Sequence, residues 1–473
     1  MLRDVKTIVS DGGLGVQTAK GEGVHVKIGA SPVASTSPIL ITGSMSHQKI
    51  KELLGYSPLA DAVMDSVENG SGKLYCLPVQ PSVAGTIGTV NKEGGGTGSC
   101  TANGIPNNAY DVVVVFTGAG GFNQATLQYS IDGGNSFSGE LTLSPTGELV
   151  IPNTGVTLTF SEAIDNPSDS FKVGDQYTVK TTAPQLSNQD VLDALAKLRN
   201  AVIPFEFVHI VGESARPLWV AVAEEVTAFF EVYKKPLFVV MEATRKADSE
   251  TLNDFYNRLA ADRRGIDHTD VQIVASWSQY KRMDGRVAEI NNAGIVCGLY
   301  ARALVQQSIG ETKSFSIPET KMLKLLPEGI EDYIGALDDE KYLTFRQYEG
   351  LSGFYVTNAR MMAPDGSDYR YAENVRVKNK IIRETRKEAL KQLQSMVDME
   401  DLQGSLEAIA KFIEIPLDDM VRAKEISSAR IEVPEDQDIL VSEKLRVVIR
   451  FVPVGYVREI EIDLGMENPF RRG

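Results

Sequence analysis

The sequence predicts an α+β multidomain protein. It combines a mainly parallel α/β middle domain, an all-β sandwich-like insertion and a C-terminal α+β domain ending in strands, with a further strand segment at each end. Three observations carry this reading. Apolar runs of strand length alternate with amphipathic helical periods from Ser187 to about residue 310. A Gly-, Thr-, Ser- and Asn-rich tract with recurring short strand patterns occupies residues 82–183. Ile460, Ile462 and Leu464 alternate with Glu459, Glu461 and Asp463 in a clean period of two. The 473 residues, 42% apolar and 23% charged, are enough for several domains with a real core.

The order of elements follows from local pattern. In residues 1–22, Val5, Thr7 and Val9 alternate with Lys6 and Ile8, and a glycine-rich break follows at Gly12, Gly13 and Gly15. A short strand on a flexible leash and a frayed terminus both fit this stretch. Residues 24–80 hold strands at Val24–Ile28, Ile39–Ile41 (expected to be buried) and "GKLYCLPVQ", with a helix over His47–Leu54. Within 82–183, runs such as "YDVVVVFTG", "ATLQYSID" and "GVTLTF" are separated by turn residues, the mark of an antiparallel sandwich. "SIDGGNSF" fits a single Asp-box turn: the Asp132 carboxylate bonds turn amides, glycines supply positive φ, and Phe137 is expected to plug the hairpin base. One copy is no propeller, and it carries no glycosidase chemistry.

From Ser187 the chain turns to strand–helix alternation. Ser187 and Asp190 have capping-box spacing. Leu218, Val222, Val226, Phe229 and Tyr233 fall on one helical face, and "FEFVHIV", "LFVVM" and "VQIVA" read as buried parallel strands. The last third holds a β-like stretch around "YEGLSGFYV". A long helix follows, with a stripe of Ile382, Thr385, Ala389, Leu393 and Met396, and then a second helix on Leu402, Leu406, Ile409 and Ile413 that stops at Pro416. "ARIEV", "KLRVVIRFV" and "YVREIEIDL" are strands.

Composition narrows function. A formal net charge of −15 argues against a general nucleic-acid binder. Cys76, Cys100 and Cys297 are scattered, with no C-x-x-C, so neither a disulfide framework nor a zinc site is expected. His25, His47, His209 and His268 have no metal-ligand spacing. The N-terminal residues lack the apolar region of a secretion signal, and no run is long enough to span a bilayer. "FTGAGGFN" imitates half of a dinucleotide fingerprint, but the strand-like "QATLQYSID" follows where a helix N-terminus is needed. "NGSGKLY" has Leu74 where a phosphate loop needs Ser or Thr. No cofactor is expected. Charge is segregated late: Arg376, Lys378, Lys380, Arg383, Arg386, Lys387 and Lys391 crowd one helix, and an acidic stretch follows. A solvated face with internal pairs and a contact surface for an acidic partner are both open.

The order of "YEGLSGFYVTNARMMAPDGSDYRYAENVRVKNKIIRETRKEAL", "GSLEAIAKFIEIPLDDMVRAKEI" and "ARIEVPEDQDILVSEKLRVVIRFVPVGYVREIEIDLG", with "LRDVKTIVSDGGLG" and "INNAGIVCGLYARAL" upstream, resembles contractile tail sheath proteins of phages and phage-tail-like injection machines. The likeness spans residues 1–80 and about 186–473; the segment 82–183 has no counterpart and would be a variable surface decoration. The resemblance implies a structural subunit, not an enzyme, that polymerises helically around an inner tube and contracts. It implies an N-terminal strand arm (residues 1–22) and a C-terminal strand arm (456–473) donated to adjacent subunits, with Val5, Thr7, Val9, Val457, Ile460, Ile462 and Leu464 in the arm strands and Gly12, Gly13 and Gly15 as hinge. Between them would lie the middle domain (23–81 and 184–365), the β-insertion (82–183) and the sheath C-terminal domain (366–455). Arg376, Lys380, Arg383, Arg386 and Lys387 become candidates for tube or neighbour contact. The implied partners are other copies of this chain, the inner tail tube protein, and baseplate and terminator proteins, with no nucleic acid and no membrane insertion. The implied place is a virion tail or phage-tail-like particle, assembled in the bacterial cytoplasm. Two other classes stay open: an α/β enzyme built on residues 205–310, and a virion or cell-surface adhesin whose β-rich insert binds glycans.

Overall fold

The computed structural model describes residues 22–467, and the chain divides into two compact units, Met1–Asn379 and Lys380–Gly473. The expected N-terminal strand (Val5, Thr7, Val9) and its break (Gly12, Gly13, Gly15) lie outside the described residues. The first unit opens with β1 (His25–Ala30), β2 (Ile39–Thr42), α1 (His47–Leu54), α2 (Pro58–Glu68) and β3 (Lys73–Val79). β1 is buried along its whole length, because it becomes a central strand. β2 is an antiparallel edge strand, and of the three residues expected to be buried only Ile41 is. Helix α2 went unread in the sequence. Ser57 caps it by accepting from the Ala60 amide, and Pro58 sits at its first turn, where no amide is needed.

The segment between β3 and residue 187 forms β4 (Asn91–Glu93), β5 (Ser99–Gly104), β6 (Asp111–Gly118), β7 (Thr126–Ser130), β8 (Leu141–Thr142), β9 (Glu148–Ile151), β10 (Val156–Ser161) and β11 (Gln176–Lys180). They build two antiparallel sheets, β5-β10-β9 and β4-β11-β6-β7-β8, around a separate core. Phe116 stacks on Phe171 at 4.5 Å and meets Phe160 edge-on at 5.5 Å, offset and T-shaped geometries that aromatic quadrupoles favour. In the Asp-box turn, Asp132 accepts from the Ser136 amide at 2.9 Å, and Gly133 and Gly134 take φ of 69° and 90°. Phe137 is 45% exposed and does not plug the hairpin, a correction to the expected role.

The two ends of this segment run side by side. Val83 and Gln185 exchange both backbone hydrogen bonds, at 3.2 and 2.9 Å, and Ile87 bridges Thr181. Asn108 donates to Asp61 of α2 at 2.8 Å. Replacing residues 84–184 by an Asn-Gly turn should therefore leave the rest of the chain folded. The expected cost is about 1–3 kcal/mol, for the partner that Asp61 loses. Thermal unfolding of the shortened protein measures it; an insoluble product would mean the segment is needed by the body.

The body resumes with α3 (Asn188–Arg199), β12 (Phe207–Ser214), α4 (Arg216–Glu231), β13 (Phe238–Ala243), α5 (Leu252–Arg263) and β14 (Val271–Val274). The capping box of Ser187 and Asp190 forms as read, and Thr251 with Asp254 makes a second at α5. The central sheet has the order β14-β13-β12-β1-β3-β2, parallel except at β2. Then follow β15 (Trp277–Lys281), β16 (Val287–Asn291), α6 (Ala293–Arg302), β17 (Met322–Leu326), α7 (Ile334–Asp339), β18 (Phe345–Tyr348) and β19 (Leu351–Val356). α6 packs tightly on α2 through glycines. A Cβ at Gly298 would stand 2.6 Å from that of Asn69, and Ser66 Oγ donates to the Gly294 carbonyl at 2.6 Å.

Helix α8 (Ala372–Leu390) carries the chain from the first unit into the second. It ends earlier than the stripe predicts: Leu393 and Met396 lie beyond it and are exposed. α9 (Leu402–Arg422) continues through Pro416 instead of stopping there, with Leu406, Ala410, Ile413, Leu417 and Met420 buried. β20 (Ser428–Glu432), the short α10 (Ile439–Ser442) and β21 (Val448–Val452) complete the described elements.

Candidate functional site

The described part of the second unit closes with an antiparallel hairpin and a segment that forms no strand. β20 and β21 pair in the register Ala429↔Phe451, Arg430↔Arg450 and Ile431↔Ile449. β20 lies against α9, and Gln403 of α9 donates to the Val433 carbonyl at 3.3 Å. Alternation sorts the faces: Ala429, Ile431, Ile449 and Phe451 are half-buried, whereas Ser428, Arg430, Glu432, Arg450 and Val452 are exposed. Beyond β21 the residues 453–467 form no strand. Tyr456–Leu464 was expected as a strand, and in the single subunit it is not one. Val457, Ile460, Ile462 and Leu464 are exposed, Leu464 at 97%. Three large apolar side chains at strand period, Ile460, Ile462 and Leu464, left in water, are the unusual feature here, because such a row is ordinarily paired or covered.

The cations of α8 do not form one contact surface. Arg376 is wholly buried. Its Nε donates to Glu206 Oε1 at 2.6 Å and its Nη2 to Glu206 Oε2 at 3.1 Å. The same guanidinium reaches the carbonyls of Tyr300 (3.1 Å) and Leu304 (3.2 Å) at the C-terminal end of α6, where a cation also suits the helix dipole. Glu206 Oε2 in turn accepts from the Gly23 amide at 2.6 Å. Burial opposes the charge on Arg376, but the Glu206 carboxylate outweighs it and holds the guanidinium above its usual range. Arg376 thus anchors α6, β12 and the entry to β1, which corrects its expected role as a contact residue. Lys378 pairs with Asp270 at 2.8 Å. Lys380 is also buried, paired with Glu425 at 2.6 Å. Arg383 is partly buried, Arg386 and Lys387 are exposed, and Lys391 holds Glu388 three residues back at 2.7 Å. A solvated face with internal pairs describes only the end of this stretch, where Lys387 and Lys391 pair with Glu384 and Glu388; Arg376, Lys378 and Lys380 find their partners on other parts of the chain.

A cavity of about 400 Å³ lies at the carboxyl ends of β1, β12 and β13, where open α/β sheets often bind ligands. Three of its carboxylates, Asp61, Asp65 and Glu242, are tied into internal pairs. Asp61 is held by Arg282 and, at 2.7 Å, by Arg286, while Asp65 takes both Nε and Nη2 of Arg282 at 3.1 Å. Glu242 accepts from His209 Nε2 at 3.0 Å, because Lys27 Nζ donates to the other ring nitrogen at 2.6 Å. Burial pushes Glu242 up to about 7 and Asp65 up to about 6, and it keeps His209 well below its usual range. Asp61 and Asp65 with Arg282 and Arg286 staple α2 to the turn of the β15–β16 hairpin, and the Lys27–His209–Glu242 chain links β1, β12 and β13. Among the described residues no cluster of His, Cys, Asp and Glu could hold a metal ion, and no helix is long and apolar enough to cross a membrane.

The DUF2586 N-terminal domain matches residues 2–360, and the DUF2586 C-terminal domain matches residues 368–471. The chain belongs to the DUF2586 family. No curated protein matches its sequence. Among solved structures it is similar to the crystal structure of a sheath tail protein from Desulfitobacterium hafniense, with 14% identity, 96% of this chain and 100% of that chain covered, and a TM-score of 0.51. It is also similar to a chain in the cryo-EM structure of the anti-feeding prophage baseplate in its contracted state, with 12% identity, 98% and 97% covered, and a TM-score of 0.50. At such identities the likeness is one of fold, and the fold of this DUF2586 member is that of tail sheath proteins over nearly its whole length. The resemblance read from the sequence holds at that level.

Three features of the family member went unread in its sequence. The Arg376–Glu206 anchor joins residues far apart in the chain, and no local pattern signals it. The Asp61–Arg282–Arg286 network had one usable clue, two aspartates a helical turn apart in a mostly apolar helix. The facing arginines of the C-terminal hairpin were hidden because register, unlike alternation, depends on how the two strands are joined.

Proposed function

We propose that this chain is the subunit of a contractile tail sheath. It polymerises helically around an inner tube and contracts to drive the tube through a target envelope. Neighbouring copies are linked by strand exchange through Val457, Ile460, Ile462 and Leu464 at one end and Val5, Thr7 and Val9 at the other, with Gly12, Gly13 and Gly15 as hinge. The observation that carries this reading is the exposed row Ile460, Ile462 and Leu464, strand-patterned but forming no strand in the subunit, on a chain with a sheath fold. A strand added to another chain satisfies its main-chain groups and buries its apolar face in one step. Because donor and acceptor surfaces differ, the contact is heterologous and propagates instead of closing on a pair. On the same reading, residues 82–183 decorate the outside, and the exposed Arg386 and Lys387 remain candidates for touching the tube or a neighbour. The tube, baseplate and terminator proteins are the further partners, in a phage-tail or phage-tail-like particle.

Asp61, Asp65 and Glu242 at the sheet-end cavity are tied in ion pairs and hydrogen bonds, which supports a mechanical role over catalysis. Negative-stain microscopy of the concentrated, purified protein should reveal rings or tubes. A species that stays monomeric by light scattering at every attainable concentration would refute the sheath reading.

A further inference from the structure

Arg430 and Arg450 stand directly opposite one another across the β20–β21 hairpin, on its exposed face. Like charges at facing positions disfavour a hairpin, so this pair costs the isolated subunit stability. Among the described residues the acid beside it is Glu432, 3.4 Å from Arg430 on the same strand. Nothing described balances Arg450 in the same way. The exposed C-terminal segment carries the complementary pattern: Glu459, Glu461 and Asp463 on one face, and Ile460, Ile462 and Leu464 on the other. The hairpin repeats that division, with Ile431, Ile449 and Phe451 on the α9 side and the arginines on the other.

We propose that Arg430 and Arg450 form a cationic clamp that receives the acidic face of the C-terminal segment of a second copy of this chain. The clamp fixes which face of the incoming strand is buried. This inference rests on the strand-exchange reading and goes beyond it. Backbone hydrogen bonds alone do not select a face, and a slip of one residue along the ladder would turn every isoleucine to water and every carboxylate toward α9. With the clamp, the correct register places three carboxylates beside two guanidiniums and the isoleucines beside Ile431 and Ile449. The wrong register leaves the arginines facing apolar side chains. The clamp also accounts for tolerance of the facing arginines: their repulsion is relieved only in the assembled state, so a free hairpin does not close on just any strand.

The test separates folding from assembly. Arg450→Glu creates a favourable cross-strand pair with Arg430, so the subunit's thermal stability should hold or rise. Its critical concentration for assembly at low salt should rise about fivefold or more, since exposed charge contacts are individually weak but several change sign together. In high salt the difference should shrink. Adding Glu459→Lys, Glu461→Lys and Asp463→Lys to Arg450→Glu should bring assembly back toward the wild-type concentration. If Arg450→Glu assembles like wild type at low salt, or the lysine substitutions fail to restore it, the clamp is overturned. A chain ending at Pro453 distinguishes the two levels. If it assembles as well as the full chain, the strand-exchange reading itself fails. If it does not assemble and Arg450→Glu is neutral, strand exchange stands and the clamp alone is wrong.

Discussion

A chain terminated after Pro453 should fold as a subunit and fail to assemble, with a critical concentration at least about a hundredfold higher than that of the full chain. Such a chain lacks Ile460, Ile462 and Leu464, which are 77%, 80% and 97% exposed in the subunit. Each side chain gains roughly 1.5–3 kcal/mol when buried, so three of them exceed the free energy equivalent to a hundredfold change. The subunit should lose nothing measurable, because residues 453–467 form no strand in it. Sedimentation across a concentration series reads the first effect and circular dichroism the second. Replacing the three apolar residues by serine in the full-length chain should give the same result with the backbone intact. Assembly of the truncated chain at the wild-type concentration would remove the C-terminal segment from the mechanism.

Arg376→Ala should destabilise the first unit by roughly 3–5 kcal/mol, because it strands Glu206 as a buried, uncompensated charge. Glu206→Ala should cost a similar amount. The double substitution should cost clearly less than the sum, since the two residues share one network. Arg376→Lys should not rescue: a single ammonium cannot meet both carboxylate oxygens of Glu206 and the carbonyls of Tyr300 and Leu304 together. Urea unfolding, measured below the assembly concentration, gives these values. A loss under about 1 kcal/mol for Arg376→Ala would return this residue to the list of candidate contacts.

The parts of the fold legible in the sequence were those set by local period. The helix over His47–Leu54, the capping box at Ser187, and the buried strands at Phe238–Ala243 and Val271–Val274 could all be read because burial on one or both faces writes itself into neighbouring residues. Helix α2 was missed despite a good cap, because it is apolar nearly all round: packed on the sheet on one side and on α6 on the other, it leaves little polar face to reveal a period. The ends of α8 and α9 were misjudged for opposite reasons. The stripe continues through Leu393 and Met396 although no packing awaits them, whereas Pro416 is tolerated within a helix that has tertiary contacts on both sides of it. The candidate site was half legible. The alternation of the C-terminal segment could be read directly, but its exposure could not. The basic helix read as a surface only because nothing local announces that Arg376 and Lys380 find buried carboxylates.

The joint at Val83 and Gln185 has a consequence for what the molecule can carry. Two chain ends held a single hydrogen-bonded pair apart form a socket that any domain with adjacent termini can plug into, without altering the register of the sheet below. A particle built from such subunits would present one foreign domain per copy at regular intervals along its length. Evolution could then exchange the inserted domain while the sheet below kept its geometry, and an engineer could use the same socket to array an antigen or a binding module.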